Sequence, residues 1–493
     1  MCEHGCEWKA RHQQHYHGYG QVNPGRTIIG RSLPSLVVGI LSLVLLLSPV
    51  QAVRADDGAT EAKTGLWERS NLLGDMGGLR TMLGDHGITF SLSETSEVLG
   101  NVTGGVKLGW DYEGATTMSL NLDADKAFGW KGGTFFVSAL QLHGRGLSAD
   151  YLYNINTVSG IEAQRTTRLW DLWYQQAFAG GKADVKIGQI GIDQEFIVSQ
   201  CCGLYLNSAM GWPVLAAQDL YAGGPAFPLA TPAVRFRVQP NDSVTLLAGV
   251  FDDNPPGGPF DDDDQLRDAE ASGTRFNMTT GALFISEVQY AINPPPTGDA
   301  CKSATGLPGT YKLGAWYDSA KFPDKRFNAS GGWLAEGGIA RMDRNNFSIY
   351  GIADQAIWRE ASGPRMVSVF SRLIGAPPDR NFIDWSLNSG INLKALLPGR
   401  GDDTLGIGYG WAHISRAVAD FDRDSSLGSF PHPVRDTESF IEVTYQCQIA
   451  PWLIIQPDLQ YIMNPGGGIL NPLNPSHLIG NELVAGLRTI INF

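Results

Sequence analysis

From Ile88 to the C-terminus, polar and apolar positions alternate in short runs separated by glycine- and proline-rich breaks. Thr116–Asp123 sets Met118, Leu120 and Leu122 against Ser119, Asn121 and Asp123. Ala233–Val238 sets Val234, Phe236 and Val238 against Arg235 and Arg237, and Ser286–Tyr290 sets Val288 and Tyr290 against Glu287 and Gln289. Ile441–Gln446 opposes Ile441, Val443 and Tyr445 to Glu442, Thr444 and Gln446; Leu453–Tyr461 opposes Leu453, Ile455, Leu459 and Tyr461 to Ile454, Gln456, Asp458 and Gln460. A period of two sends successive side chains to opposite faces, so each run predicts a strand between two different surroundings. The final stretch, LVAGLRTIINF, behaves alike: Phe493, Ile491, Thr489 and Leu487 share one phase, Arg488 and Glu482 the other. The split is imperfect. Thr134–His143 mixes both phases, and Glu94 shares a phase with Ile88, Phe90 and Leu92.

Upstream the period changes. Leu72, Leu73, Met76, Leu79, Met82 and Leu83 recur at helical spacing, which predicts a short helical segment within residues 56–87. Further upstream, Leu33–Pro49 is uncharged, follows Arg26 and Arg31, and leads into small-residue exits at Ala52 and Ala55. That is the make-up of a secretory signal. A membrane anchor is the alternative, but the run is short of the roughly 20 residues a spanning helix needs. The expected organisation is residues 1–55 as extension and signal, 56–87 as helical segment and 88–493 as strands. In the extension, Cys2, Cys6, His4, His12, His15 and His17 lack the second cysteine pair of a zinc site and would leave with the signal.

An alternating strand can belong to a soluble sandwich or to a membrane barrel. Aromatic residues near strand ends separate the two: Trp130, Trp170, Tyr174, Tyr290, Trp316, Trp358, Trp411 and Tyr461 recur there. Aromatic girdles flanking an apolar band mark a membrane barrel, in which an outward charge at mid-bilayer costs about 2–4 kcal/mol while inward residues meet water. Closure removes the unpaired edges that lipid cannot hydrogen-bond. The fold class expected is therefore all-β, a transmembrane antiparallel β-barrel with a short N-terminal helical segment. Composition agrees, with 60 glycines and no long apolar run beyond the signal.

The formal charge of −13 grows more negative once the signal is removed, and an acidic exported chain is not a nucleic-acid binder. Four cysteines follow the signal, Cys201, Cys202, Cys301 and Cys447, too few for a disulfide scaffold; a bridge from Cys301 has no partner that the sequence selects. There is no G-x-S-x-G or H-E-x-x-H motif, so no enzyme is expected, with an outer-membrane lipase as the alternative. The Asp261–Asp264 run reads as a solvated acidic loop, with calcium as the alternative; no cofactor or other metal is expected.

Motifs along nearly the whole exported chain carry a family resemblance. GDMGGLRTMLGDHGITF, GNVTGGVKLGWDYEGATTMSLNLD, LQLHGRGLS, RLWDLWYQQ, VKIGQIGIDQEF, LNSAMGWP, GGPAFPLATPAVRFRV, GTYKLGAWYDSAKFPD and PWLIIQPDLQYIMNPGG occur in that order. Together they resemble the carbohydrate-selective porins of the OprB family, from about Gly65 to Phe493. The resemblance implies a barrel of sixteen strands in the outer membrane of a Gram-negative bacterium, with loops folded in to narrow a sugar-conducting pore. Sixteen strands of about ten residues leave ample chain for such loops. One departure is visible: where the family motif leads us to expect an acidic pair, this chain has Asp171 and Gln175, so one charge is missing.

Passive, selective diffusion of mono- or small oligosaccharides is thus the expected function, with an anion or general-solute porin as the alternative. Aromatic rings stack on sugar C–H faces, and charged or amide side chains replace water at the hydroxyls. In RLWDLWYQQ, Trp170, Leu172 and Tyr174 suit lipid, leaving Asp171, Trp173 and Gln175 for the lumen. The candidate pathway residues are Asp171, Trp173, Gln175, Asp193, Arg235, Arg237, Glu287, Gln289, Asp458 and Gln460, with Asp193–Trp212 as constriction loop. Expected partners are carbohydrates, outer-membrane lipid, lipopolysaccharide and the assembly machinery, the last reading the terminal Phe493; the chain is a monomer or a trimer.

Overall fold

The computed structural model describes residues 65–257, 271–293, 306–426 and 433–493. The signal segment, the cysteines and histidines of the extension, Asp261–Asp264, Cys301 and His432 lie outside the described residues. The chain divides into two units at Arg69/Ser70. The described part of the first is a single short turn of helix at Leu66–Glu68.

The second unit is a barrel. Its strands are β1 (Ile88–Gly105), β2 (Gly109–Asp123), β3 (Gly133–Gly144), β4 (Thr166–Phe178), β5 (Ala183–Ile190), β6 (Thr231–Asn241), β7 (Val244–Asp252), β8 (Ala282–Ile292) and β9 (Gly309–Asn328). They continue as β10 (Ala340–Arg359), β11 (Met366–Gly375), β12 (Ile383–Lys394), β13 (Thr404–Ile414), β14 (Thr437–Ala450), β15 (Leu453–Met463) and the closing β18 (Gly480–Asn492). Among the described residues these sixteen pair in sequence order into one closed, all-antiparallel sheet. A small separate hairpin, β16 (Leu470–Asn471) and β17 (Asn474–Leu478), stands between β15 and β18. No described helix is long and apolar enough to cross a membrane; in a barrel the strands cross.

Register explains why the alternation is so regular. Cross-strand partners share a face, so Val98 opposite Leu487, Phe236 opposite Ala248 and Ile441 opposite Tyr461 build a continuous apolar outer wall. The other phase turns inward: Glu97 lies opposite Arg488, and Glu442 opposite Gln460. Val98, Phe236 and Ile441 are exposed, whereas Glu97, Glu442 and Gln460 are buried.

At the seam the segment leading into β1, and β1 itself, hold the C-terminal residues. The Phe493 N–H donates to the Leu92 carbonyl at 2.9 Å, and Leu72 N–H donates to the Asn492 carbonyl at 2.8 Å. Arg80 reaches both the Phe90 carbonyl, at 2.6 Å, and the Phe493 carbonyl. The helical segment is shorter than its leucine spacing predicts. Only Leu79–Asp85 is α-helix. Gly74, Met76, Gly77 and Gly78 all have left-handed backbones, which breaks the preceding turn.

Two aromatic positions depart from the girdle pattern. Trp316 is buried in the inner phase of β9. Trp170, expected to face lipid, packs edge-on to Phe227 at 5.5 Å within an inner apolar cluster with Leu140 and Leu142. The cause is a β-bulge: β3–β4 register slips between Val137 and Ala139, so Trp170 and Asp171 share one place in the ladder.

Candidate functional site: the constricted lumen

The connection between β5 and β6, residues 191–230, runs into the barrel, where Phe196, Leu204, Leu206, Met210, Val214 and Leu215 belong to the main buried core. A loop inside a pore brings backbone polar groups away from bulk water, and each needs a partner. Strand side chains supply them. Glu442 accepts from the N–H groups of Leu206 (2.5 Å) and Asn207 (3.2 Å). Asp354 accepts from Gln200 N–H at 3.0 Å and from the Ser199 hydroxyl at 2.5 Å. Gln456 donates to the Leu204 carbonyl at 2.7 Å, and Lys312 to the Val198 carbonyl at 2.7 Å.

Arg372 does the most. It is fully buried on β11 and donates to the carbonyls of Ile197 (3.1 Å), Ala209 (2.5 Å), Met210 (2.9 Å) and Gly211 (3.0 Å), braced by Asn388. Ile197 has φ of 62°, a left-handed backbone that is costly for a β-branched residue. Its N–H is held by Glu287 at 3.0 Å and its carbonyl by Arg372, so charged groups grip it from both sides. Opposite, Gly406 and Gly408 of β13 leave a flat strip: a Cβ on either would come within 2.7 Å of Leu204 or Tyr205. The preceding long connection is held similarly, with Glu438 accepting from Ile155 N–H at 2.7 Å and Asn156 N–H at 2.6 Å.

The wall formed by β3–β6 is different. Trp173 stacks on Phe136, centroids 4.9 Å apart, and the Lys186 ammonium sits 4.0 Å over the Trp173 ring. Lys186 pairs with Glu195 of the loop; Arg235 pairs with Asp184 and, at 2.9 Å, with Glu195; Arg237 pairs with Asp184 at 2.6 Å. Gln175 accepts from Arg235 at 3.3 Å. Arg235 already faces two carboxylates, so an amide at Gln175 suffices where a third acid was expected. Trp173, Gln175 and Arg237 remain partly open.

The ten sequence-derived candidates therefore fall into two groups. Asp171 holds the loop start, accepting from Gly191 N–H at 3.0 Å and Gln194 at 2.9 Å. Asp193 accepts from Phe227 N–H at 3.0 Å; burial pushes its pKa up to about 7, with that hydrogen bond opposing and Asp171 adding. Glu287 holds Ile197, with Gln289 donating back to it at 2.6 Å. Gln460 donates to the Val158 carbonyl at 2.8 Å and to Asp458 at 3.0 Å, and accepts from Asn207 at 3.0 Å. Asp171, Asp193, Glu287 and Gln460 fix loops, Gln289 and Asp458 brace Glu287 and Gln460, and Trp173, Gln175 and Arg237 form the partly open strip beside the buried Arg235.

Sequence reasoning missed Arg372, Glu438, Asp354, Lys186 and Phe136 as site residues. Lys186 alone had a local signal, standing between Val185 and Ile187 in a strand pattern. Cys201 and Cys202 lie within the loop as free thiols, the Cys201 carbonyl accepting from Asn392 at 2.9 Å; burial pushes the Cys201 thiol up to about 12. No cluster of acidic, histidine or cysteine side chains among the described residues is arranged to hold a metal.

A closed antiparallel barrel with an apolar exterior, a polar interior and a loop narrowing its lumen defines a porin. The carbohydrate-selective porin family OprB matches residues 107–493, more than half of the chain, and the chain belongs to that family. It is 26% identical over 449 residues to Porin B of Pseudomonas aeruginosa, spanning 85% of this chain and 90% of that relative. The high-pH structure of Pseudomonas putida OprB aligns with TM-score 0.76 at 25% identity, covering 87% of this chain and 100% of that one. The low-pH structure of the same protein aligns with TM-score 0.53 at 19% identity, covering 86% and 99%. As a porin of this family it is an outer-membrane protein of Gram-negative type. The short turns and the two ends of the barrel, Ile88 and Asn492, then lie on the periplasmic side, the long loops outside.

Proposed function

We propose that the barrel conducts mono- and small oligosaccharides down their gradient into the periplasm, past the partly open strip of Phe136, Trp173, Gln175 and Arg237, which the buried Lys186 and Arg235 support from behind. The observation that carries this reading is the stacked aromatic pair Phe136–Trp173 standing beside charged and amide groups. A sugar presents an apolar C–H face and a rim of hydroxyls, and such a strip meets both while leaving binding weak enough for release. An anion pore fits less well, because Arg235 and Arg237 are neutralised by Asp184 and Glu195. Family and fold are those of a channel rather than an enzyme.

Liposome swelling over mono-, di- and trisaccharides tests the proposal. Rates should fall with sugar size, and glucose or maltose should block ion current. Strong anion selectivity without such block would refute it. The outer wall is expected to meet phospholipid and lipopolysaccharide, after export by a cleaved signal within residues 1–55. Phe493, at the seam, is the expected recognition point for the assembly machinery. Deleting it should lower the folded, heat-modifiable fraction in outer membranes about tenfold while leaving the conductance of surviving channels unchanged.

A further inference from the structure

Two cations stand in the outward phase at the extracellular end of the barrel. On β9, Tyr311, Leu313, Tyr317, Ser319 and Lys321 are exposed, against buried Lys312, Trp316, Asp318 and Phe322, so Lys321 points outward. On β10 the outward phase runs through Ile349 and Phe347, opposite Ala315 and Tyr317, while Ser348 and Asn346 are buried. Unbroken, that alternation would turn Arg344 inward after Asn346. A register shift intervenes between Arg344 and Asn346, where Asn345 has φ of 67°. Asparagine tolerates that backbone, and a bulge re-aims the side chain beyond it. Arg380 holds the bulge in place, donating to the carbonyls of Arg344 at 2.7 Å and Asn345 at 2.6 Å. Arg344 is thereby exposed and directly opposite Lys321.

The neighbouring arginines are neutralised. Arg326 pairs with Asp420 and Asp424, Arg341 with Asp324 and Asp343, and Arg380 with Asp379. Lys321 and Arg344 have no carboxylate partner among the described residues. Like charges directly opposite one another repel, and a shared anion removes that cost. Height decides which anion is in reach. Tyr311, opposite Tyr290, marks the periplasmic girdle on β9. The climb from Tyr311 to Lys321, at about 3.4 Å per residue and a tilt of about 40°, is roughly 26 Å, the height of the apolar band. The two cations therefore stand at the headgroups of the outer leaflet. Below them Phe284, Tyr317 and Phe347 lie in one exposed row across β8, β9 and β10. An amphiphile with phosphates on a sugar headgroup above several acyl chains meets both levels.

We infer that Lys321 and Arg344 form a phosphate site for lipopolysaccharide on the β9–β10 wall, with the Phe284–Tyr317–Phe347 row against its acyl chains. The inference deepens the expected lipopolysaccharide contact and rests on the outer-membrane placement of the barrel, not on what the pore conducts. The folded, full-length mature protein in detergent is titrated with fluorescent rough-type lipopolysaccharide. Lys321→Gln combined with Arg344→Gln should weaken binding roughly ten- to thirtyfold, whereas Lys321→Arg should hold it within about twofold. Dephosphorylated lipopolysaccharide should bind the parent as weakly as intact lipopolysaccharide binds the double variant. Heat-modifiable migration and sugar block of ion current, read on the same preparations, should match between parent and double variant; loss of block in the parent would count against the sugar pore alone. Equal affinity of parent and double variant for lipopolysaccharide, undiminished binding of the dephosphorylated form to the parent, or displacement from the parent by equimolar phosphatidylglycerol or inorganic phosphate would each overturn the inference.

Discussion

Two sides of one lumen use the same residue types for opposite ends. On β8, β10, β11, β14 and β15, the charged and amide groups Glu287, Asp354, Arg372, Glu442 and Gln456 are spent on the backbone of the inserted loop. On β3–β6, Lys186, Arg235 and Arg237 are paired mainly with carboxylates, beside the stacked rings of Phe136 and Trp173. An inward charge is therefore no sign of substrate contact. What decides its role is whether a loop carbonyl or amide lies within reach. The first wall holds the loop that narrows the lumen, and the second is the one proposed to meet what passes through it.

The comparison breaks most visibly at Arg372. Arg372→Met leaves buried carbonyls without a donor, at a cost of about 3–5 kcal/mol. It should lower the denaturation midpoint and give larger, noisier single-channel currents with weaker sugar discrimination. A stable variant with parental conductance would show that the loop does not depend on this wall. Trp173→Ala addresses the other side. Loss of one aromatic surface is worth about 0.5–1.5 kcal/mol, so the sugar concentration giving half block should rise roughly two- to tenfold. Its ion conductance should barely change; parental half block would remove Trp173 from the pathway.

The smallest effect is expected at Asp193, where the two walls meet through the loop. Its folded-state pKa is raised to about 7, so the folded protein binds this proton more tightly than the unfolded chain does. The contribution is fully present below the unfolded value of about 3.9 and is lost as pH rises to about 7. Denaturation midpoints of parent and Asp193→Asn should thus diverge progressively across that window, with the parent losing ground. Parallel pH profiles would contradict the assignment.

The outer and inner faces of β6, β8, β14 and β15 were legible in the sequence because one face of each meets lipid, which tolerates few mistakes. The failures have local causes. Trp170 was misplaced because a bulge shifts the phase within a strand, and no residue in RLWDLWYQQ announces it. Trp316 shows that an aromatic near a girdle position can equally turn inward to pack. The helix before β1 was overextended because leucine spacing outweighed the glycines at 74, 77 and 78. Of the site, alternation showed which phase faces inward but not the partners. Gln460 looks like free lining until a loop more than two hundred residues earlier is placed against it, and Asp458 until Gln460 is seen to donate to it.

That distance in sequence also sets an order in time. Ile155 is held by Glu438, 283 positions later, and Leu206 by Glu442, 236 positions later. Contacts so remote form only after the intervening chain has been laid down. The inserted loop therefore has no complete cradle until β14 and β15 have joined the sheet. Constriction is a late acquisition of this porin as it is made, completed only with the strands that precede the closing one.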